Sequence, residues 1–300
     1  MNRPKATAVI VAYRARDIIE KTAAVLQRNY EGGLLACVIV DNDSRDGTVD
    51  FLREHHPWMT IVPSQTNVGF GRGCNLGARL ATTPYLLFLN PDADLEAAAI
   101  VTLVDFLDHH PEAGLAAPAI VDPDGQLQTT GDLPTPWTIL RAAAGHGLSK
   151  VIQPGAAPFQ VQWVCGAAFM IRTSLFESLG GFDPRYFLYF EETDLCRRAL
   201  RSGAQIWAVG QAVARHIDGA IAKRSGQKLF QGCIARHYFE SRFYYLSKHH
   251  GRLAAALADL GELIILSLRA VPRWLLGSGN ESLRIRLRSP ILRPPTLPTD

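Results

Sequence analysis

An apolar strand runs directly into two acids in the segment Leu87-Phe88-Leu89-Asn90-Pro91-Asp92-Ala93-Asp94. Side-chain alternation along the segment would point both carboxylates to the same side. Oxygen ligands at a strand end suit Mg²⁺ or Mn²⁺ that bridges phosphates. Asp94 has a second interpretation, because it could instead cap a helix that begins near Leu95.

Strands and helices alternate on the N-terminal side of this segment. Strands are predicted at Ala6–Val11, Ala36–Val40, Thr60–Val62 and Tyr85–Leu89, with helices at Arg16–Arg28, Thr48–His55 and Arg72–Ala81 between them. This alternation predicts an α/β fold with a Rossmann-like, mostly parallel central sheet and helices on both faces. Ligands of such sheets bind beyond the carboxyl ends of the strands, so the residues that follow each strand are the first candidates for a site.

The second half of the chain is less regular. Residues 119–159 are rich in proline and glycine and predict a long excursion. Regular patterning returns at Val161–Ile171, followed by predicted helices at Ser174–Leu179 and Thr193–Arg201 and a strand at Ile206–Val209.

Composition excludes several classes of protein. A chain of 300 residues with 47% hydrophobic content is globular, and a net charge of +3 gives no argument for a nucleic-acid partner. Five cysteines without a CxxC pair argue against a disulfide framework and a thiolate zinc site, which favours a cytoplasmic protein. The apolar run Ala6–Ala12 is too short for a signal peptide or a membrane span.

Polar side chains also follow the other strands. Asp41 could accept hydrogen bonds from a nucleobase and ribose, or belong to a polar turn in which Ser44 or Asp46 caps the next helix. The glycine-rich segment Asn67–Gly77 opens a helix whose N–H groups could face a diphosphate, although close helix–strand packing explains its glycines as well.

Three acids follow an aromatic run at the start of another predicted helix. Glu191, Glu192 and Asp194 come directly after Tyr186–Phe190. Acids stabilise a helix N-terminus by about 0.3–1 kcal/mol each, which alone could explain them. A carboxylate beside aromatic side chains is also how a general base is held and a sugar ring is stacked.

In chain order, these motifs resemble family 2 glycosyltransferases, especially the bacterial rhamnosyltransferase-like branch. The resemblance covers about the first 250 residues and rests on Val9–Tyr13, Val40–Thr48, Asn67–Gly77, Leu89–Asp92, Trp163–Arg172, Gly181–Leu195 and His216–Gly219. It implies a GT-A fold, a nucleoside-diphosphate sugar donor, inversion at the anomeric carbon, and Mg²⁺ or Mn²⁺ as cofactor.

The resemblance also implies roles for individual residues. The metal motif falls on Asn90-Pro91-Asp92, with an amide in place of the first acid, and the late histidine falls on His216. Asp94 is a further candidate ligand. The catalytic acids fall on Glu191-Glu192, so Glu192 is the expected base, with Glu191 and Asp194 as rivals. The expected nucleotide-sugar contacts are Ala12, Tyr13, Asp41, Asn67, Gly69, Asn75 and Asp92. Trp163, Gly166 and Ala167 are expected to form the wall near the donor sugar and acceptor, although Trp163 could equally belong to the core.

The resemblance makes dTDP-rhamnose the first expectation for the donor, with UDP- and GDP-sugars open, and a glycan or polyprenyl-linked glycan the expected acceptor. Two other functions remain open. One is a catalytically silent nucleotide-sugar or glycan-binding protein on the same fold. The other, a sugar nucleotidyltransferase, would need a glycine-rich basic loop after the first strand, where this chain has Tyr13–Arg16.

Residues 1–250 are predicted to form the GT-A domain, and residues 251–300 a C-terminal helical extension with a basic tail. Leu253–Leu268 is apolar but contains Asp259 and Glu262, which argues against a membrane span. Trp274 stands among arginines at positions 269, 273, 284, 286, 288 and 293. This pattern is typical of peripheral contact with an anionic inner membrane. A packing helix with a solvated tail explains it equally.

Overall fold

The computed structural model of the chain describes residues 3–147, 150–216, 233–275 and 281–295. Contacts divide the chain into two compact units. The first, the sheet unit, comprises Met1–Asp132, Lys150–Pro184 and Glu191–Ile221, and the second, the helical unit, comprises Leu133–Ser149, Arg185–Phe190 and Ala222–Asp300. The helices Cys233–His250 and Arg252–Leu275 therefore lie in the same unit. The boundary predicted from the sequence, at residue 250, falls between them.

The strands and helices have the following bounds. The strands are β1 (Ala6–Ala12), β2 (Leu35–Asp41), β3 (Thr60–Pro63), β4 (Tyr85–Leu89), β5 (Ala93–Leu95), β6 (Ala113–Val121), β7 (Thr129–Thr130), β8 (Lys150–Val151), β9 (Phe159–Val161), β10 (Ala168–Arg172) and β11 (Gln205–His216). The helices are α1 (Ile19–Glu31), α2 (Thr48–His55), α3 (Phe70–Ala78), α4 (Ala97–His109), α5 (Pro136–Ala143), α6 (Thr173–Ser178), α7 (Glu191–Arg201), α8 (Cys233–His250), α9 (Arg252–Leu275) and α10 (Glu281–Leu287).

A nine-stranded sheet forms the centre of the sheet unit, in the order β3-β2-β1-β4-β10-β6-β11-β5, with β9 paired to β11. Strands β1, β2, β3, β4, β6 and β11 run in one direction. Strands β5, β9 and β10 run against them. The α/β architecture and the mostly parallel sheet predicted from the sequence are confirmed, and the antiparallel β10 lies at the centre of the sheet.

Strand β1 is buried along its whole length because helices cover both faces of the sheet. Ile10 lies in the same apolar cluster as Ile19 and Leu26 of α1. The opposite face, which carries Val9 and Val11, packs against α3. Buried on both faces, such a strand is apolar throughout rather than alternating.

The glycines of α3 permit this close packing. A methyl group added at Gly73 would lie 2.9 Å from Cγ1 of Val11, and one added at Gly77 would lie 2.6 Å from Cγ1 of Val9. Distances below 3.0 Å cannot be accommodated without movement of the strand. Close packing therefore explains Gly73 and Gly77, which leaves only the start of α3 available to face a ligand.

Several elements differ from the sequence-based predictions. The predicted patterned segment at Val161–Ile171 contains two strands, β9 and β10, with a connection between them. Strand β6, whose run of small residues carries no clear period, was not predicted. The predicted helix cap at Asp94 is wrong, because α4 begins at Ala97 and Asp94 lies in β5.

The helical unit is held by a buried cluster of four charged side chains. Arg242 of α8 donates to Asp259 Oδ1 at 2.9 Å and to Glu262 Oε1 at 2.9 Å, both on α9. Arg286 of α10 lies 2.8 Å from the second oxygen of each acid. The paired arginines hold the pKa of Glu262 below its ordinary value, although burial alone would raise it. The cluster therefore connects three helices.

This cluster corrects part of the expectation for the basic tail. Arg286 is buried, so its guanidinium does not face solvent, and the guanidinium of Arg269 donates to the carbonyl oxygen of Ala143 within the helical unit. The side chain of Trp274 and residues 276–280 and 296–300, to which the same expectation applied, lie outside the described residues.

We predict that Gly77→Ala lowers the free energy of unfolding by about 1–3 kcal/mol, because its Cβ would overlap a β-branched side chain of the sheet. Urea unfolding followed by circular dichroism measures the change. The control is Gly32→Ala at the end of α1, where φ is −71° and the added carbon meets its nearest atom at 3.4 Å. Equal effects of the two substitutions would contradict the role given to Gly77.

Candidate active site

Polar residues collect at one edge of the sheet, where the parallel strands end. Asp41 is the last residue of β2, His216 is the last residue of β11, and Asn90-Pro91-Asp92 follows β4 directly. The antiparallel β10 begins at this same edge, because Ala168 pairs with Leu89. Residues from both halves of the chain therefore meet beyond the carboxyl ends of the strands.

His216 is the centre of a buried group of polar side chains. Its Nε2 lies 3.1 Å from Asp92 Oδ1 and 3.2 Å from Asn90 Nδ2. Its Nδ1 lies 2.6 Å from Nε2 of Gln128, whose Oε1 accepts from Sγ of Cys165 at 3.1 Å. The side chains of Asp92 and His216 are 8% and 6% exposed, so a ligand here would be largely shielded from water.

Asp94 does not join this group. Its Oδ2 lies 2.8 Å from Nζ of Lys21, and its Oδ1 accepts from the Thr22 hydroxyl at 3.4 Å, both on α1. The expected alternation fails because residues 91–92 form a turn between β4 and β5. The two acids therefore point to different partners, and the geometry does not favour Asp94 as a ligand of the same metal as Asp92.

Glu191 and Glu192 differ in surroundings although they are adjacent at the start of α7. Glu191 is buried, with its Cβ 3.4 Å from a methyl group added at Gly71, and its Oε2 has no hydrogen-bond partner among the described residues. Burial, with repulsion from Glu192 as the second cause, holds the pKa of Glu191 well above its ordinary value. Burial also raises the pKa of Glu192, against hydrogen bonds that lower it.

Glu192 lies against the segment that was expected to form the sugar wall. Its Oε1 accepts from Nε1 of Trp163 at 3.3 Å, and a methyl group added at Gly166 would lie 3.5 Å from its Cγ. Ala167 accepts a hydrogen bond from the backbone N–H of Asn90 at 2.9 Å. Trp163, Gly166 and Ala167 therefore connect Glu192 to the turn that carries Asp92.

Asp194, the third acid of the run, has a different partner. Its Oδ2 accepts from Nε of Arg198 at 2.6 Å, and its side chain is fully buried. The same guanidinium donates to the carbonyl oxygens of Leu179 and Gly181 at 2.8 Å each. The geometry thus favours a structural role for Asp194, which through Arg198 holds the turn that follows α6.

The end of β2 carries a second group of polar side chains. One carboxylate oxygen of the buried Asp41 accepts from the backbone N–H of Ser44 at 3.2 Å, whereas Oδ1 has no partner among the described residues. Asn42 donates its backbone N–H to the carbonyl oxygen of Ala12 at 2.7 Å, and its side chain donates to Oδ1 of Asn67 at 2.9 Å. Burying a carboxylate oxygen without a donor is costly, so Asp41 Oδ1 is a free acceptor for a ligand.

Asn67 and Gly69 are held by the same network, because Asn67 Oδ1 also accepts from the Gly69 N–H at 3.0 Å. Gly69 precedes α3 with φ +86°, a conformation that favours glycine. Tyr13 follows β1, and its ring lies 5.4 Å from the Arg14 guanidinium carbon.

Asn75 differs from its expected role. Its Nδ2 donates to the carbonyl oxygen of Phe182 at 2.9 Å, and its Oδ1 accepts from the Phe182 N–H at 2.9 Å. The amide is therefore used on both sides within the protein. The geometry therefore favours a structural role for Asn75, which joins α3 to the turn that follows α6.

Sequence reasoning missed Gln128, Cys165 and Asn42 in these groups. Gln128 lies in the proline- and glycine-rich excursion, where no periodicity identifies it. Asn42 follows Asp41 in the same polar motif, so its position after a strand was a signal that could have placed it with Asn67.

Comparison with solved structures supports the same fold. The mannosyltransferase PcManGT of Pyrobaculum calidifontis, in complex with GDP-Man and Mn²⁺, superposes with a TM-score of 0.59 at 18% identity, covering 96% of this chain and 80% of that one. TarS 1–349 of S. aureus, in complex with UDP, superposes with a TM-score of 0.56 at 14% identity, covering 87% of this chain and 69% of that one. The expected GT-A fold is confirmed.

Comparison of sequences identifies the family. An N-acetylglucosaminyl-diphospho-decaprenol L-rhamnosyltransferase of Mycobacterium tuberculosis is 26% identical, covering 83% of this chain and 86% of its own. Rhamnosyltransferase WbbL of Escherichia coli K12 is 24% identical, covering 80% and 92% respectively. The family model for glycosyl transferase family 2 matches residues 7–180. The chain therefore belongs to glycosyltransferase family 2, as its motifs indicate.

Proposed function

We propose that this glycosyltransferase moves a sugar, with rhamnose from dTDP-rhamnose as the first choice, onto a hydroxyl of a lipid-linked glycan in cell-surface polysaccharide synthesis. The transfer is metal-dependent and inverts the anomeric carbon. One observation carries the proposal. The Asp92–His216 pair and Glu192, which accepts a hydrogen bond from Trp163, lie at the same edge of the sheet. Family membership supports the reaction class.

The nucleotide occupies the ends of β1 and β2 in this proposal. Asp41 offers its unpartnered Oδ1 to N–H or hydroxyl donors of the base and ribose. Asn67 and Gly69 hold the start of α3, whose N–H groups face the diphosphate, and Ala12 and Tyr13 border the base. Asn75 keeps these segments in place through Phe182 rather than by contact with the donor.

Asp92 and His216 would hold the divalent cation. A carboxylate oxygen and an imidazole nitrogen, only 3.1 Å apart, form a mixed donor set that suits Mn²⁺ at least as well as Mg²⁺. Among the described residues, no group of three or more His, Cys, Asp and Glu side chains could hold a metal. Oxygen atoms of the donor diphosphate would complete the coordination. When bound, the cation offsets negative charge on the departing diphosphate. Gln128 contacts the other ring nitrogen of His216, and with its amide turned so that Oε1 accepts from the Nδ1 N–H it would orient the ring for a metal on Nε2.

Glu192 acts as the general base. Its raised pKa strengthens it as a proton acceptor, and its hydrogen bond from Trp163 fixes the carboxylate against the sugar wall. As Glu192 takes the proton of the acceptor hydroxyl, that oxygen attacks the anomeric carbon on the face opposite the leaving diphosphate. Glu191, buried and unpartnered, stays protonated, because two adjacent buried carboxyls resist ionising together.

The names of the relatives support the choice of sugar and acceptor. Both the mycobacterial and the E. coli relatives are named rhamnosyltransferases, and the mycobacterial one is named for a diphospho-decaprenol acceptor. A lipid-linked acceptor would place the enzyme in the cytoplasm, in peripheral contact with the cytoplasmic face of the inner membrane. A catalytically silent nucleotide-sugar or glycan-binding protein on the same fold is the competing function.

We predict that Glu192→Gln lowers kcat by about 10²–10⁴-fold while donor binding persists, because it removes the base and keeps the shape of the side chain. Transfer from dTDP-rhamnose with Mn²⁺ measures the loss, and thermal shift with dTDP measures donor binding. Glu177→Gln on α6, an exposed acid, is the control with wild-type activity expected. A wild-type protein that binds donor but transfers from none of dTDP-, UDP- and GDP-sugars would favour the silent binding protein.

We predict that Trp163→Phe moves the acidic limb of the kcat/KM profile to higher pH by up to about one unit. The indole N–H stabilises the ionised Glu192, so its loss raises the pKa of that carboxyl and the base protonates at a higher pH. The pH profile of transfer measures the shift. Trp207→Phe, whose indole N–H bonds to Gln205 instead, should leave the limb in place. A limb that stays in place in Trp163→Phe would contradict Glu192 as the base.

We predict that Asp92→Asn abolishes the extra thermal stabilisation that Mn²⁺ gives in the presence of dTDP, whereas Asp94→Asn retains it. A ligand at a hundredfold excess over its Kd adds about 2.7 kcal/mol to stability, which a melting curve resolves easily. The two variants remove the same charge two residues apart, but Asp94 is paired with Lys21. Loss of the Mn²⁺ increment in both, or in neither, would remove Asp92 from its assigned role. Replacing dTDP by UDP or GDP tests the nucleotide.

A further inference from the structure

Helix α9 carries a row of large apolar side chains that are open to solvent. The row, here called the apolar stripe, consists of Leu253, Leu257, Leu260, Ile264, Leu268 and Val271, which are 75%, 59%, 44%, 61%, 67% and 54% exposed. Intervals of three and four residues place all six on one face of the helix. At 1.5 Å per residue the stripe is about 27 Å long. Such a continuous apolar face is unusual on a protein surface and marks an interaction site.

The stripe is not the packing face of α9, because the opposite face already serves that purpose. Ala255 and Ala258 lie in the apolar cluster of the helical unit, and Leu140 of α5 fills the space beside Gly261. The two acids of the helix, Asp259 and Glu262, also point inward to Arg242 and Arg286. No acidic side chain of α9 therefore interrupts the stripe.

The charge around the stripe is basic. Residues 251–295 contain seven arginines and three acids, and two of those acids are the ones paired with arginine in the buried cluster. Arg252, Arg284 and Arg288 are exposed. In the same part of the chain, α10 exposes Leu287, and the segment after it exposes Ile291 and Leu292. Trp137, on α5 beside α9, is 67% exposed. Arginine, leucine and tryptophan exposed together are typical of a surface that lies on anionic lipid.

We propose that the helical unit docks on an anionic bilayer, with α9 in the plane of the surface. The apolar stripe enters the boundary between headgroups and acyl chains, and the exposed arginines contact lipid phosphates. This inference rests on the proposed function, because it names the surface from which a lipid-linked acceptor would be taken. Among the described helices, none is long and apolar enough to cross a membrane. A second copy of the chain fits less well, because it would bring two arginine-rich surfaces together.

Co-sedimentation of the full chain with vesicles tests the proposal. The vesicles are phosphatidylcholine alone or phosphatidylcholine with one third phosphatidylglycerol. We expect the protein to pellet with the anionic vesicles and added salt to weaken this binding. Leu257→Glu combined with Ile264→Glu should weaken it at least tenfold. The matched control, Tyr30→Glu combined with Leu80→Glu, adds the same charge at exposed apolar positions of the sheet unit and should stay within about twofold of wild type.

Three outcomes would overturn the docking surface. The wild-type chain could stay in the supernatant with anionic vesicles, the stripe variant could bind as wild type, or the control could lose binding equally. Light scattering adds the remaining outcome, since a wild-type dimer that the stripe variant converts to monomers would make a second copy the occupant. A thermal shift with dTDP equal to that of wild type checks that the stripe variant is folded.

Transfer to an N-acetylglucosaminyl diphosphate on a short, soluble alkyl chain separates this inference from the proposed function. Transfer without vesicle binding would overturn the docking surface alone. Vesicle binding without transfer from any donor would overturn the proposed function and leave the surface in place.

Discussion

The pairing of β5 with β11 is the constraint on which the candidate site depends. Ala93 stands opposite His216 in this antiparallel pair, so the turn that carries Asp92 is brought to the end of a strand 124 residues later in the chain. Strand β11 is in turn fixed by its parallel pairing with β6. The two side chains therefore meet because backbone hydrogen bonds position them, and a ligand is not needed to assemble the pair.

Burial gives the same edge of the sheet its chemistry. Glu191 and Glu192 have raised pKa values chiefly because they are removed from water, and Asp41 keeps one oxygen without a donor. Each of these groups lowers stability unless a ligand or a proton compensates it. The apolar packing of β1 against α1 and α3 offsets that cost. Buried carboxyl groups without full hydrogen bonding can therefore persist at the strand ends.

The sequence predicts the first half of the fold well, because the strands there are continuous apolar runs and the helices have a clear period. It also locates Asp41 and Asp92 after strands, whereas the strand predicted at Ile206–Val209 stops well short of His216, with which β11 ends. It could not show that Asp92 lies in a turn and Asp94 in the next strand, since alternation holds only while a strand continues. Nor could it locate Gln128 in an aperiodic segment. These contacts depend on sheet order, and the central antiparallel β10 is not encoded in any local pattern.

Asn75 illustrates how a residue can be indispensable without meeting any substrate. Its amide pairs with both the backbone N–H and the carbonyl oxygen of one residue, Phe182, as a neighbouring strand would. An aspartate offers no donor there, a leucine offers neither group, and a glutamine is one methylene too long for the same reach. Homologues under selection for any donor sugar would thus retain an asparagine here, and its retention would carry no information about specificity.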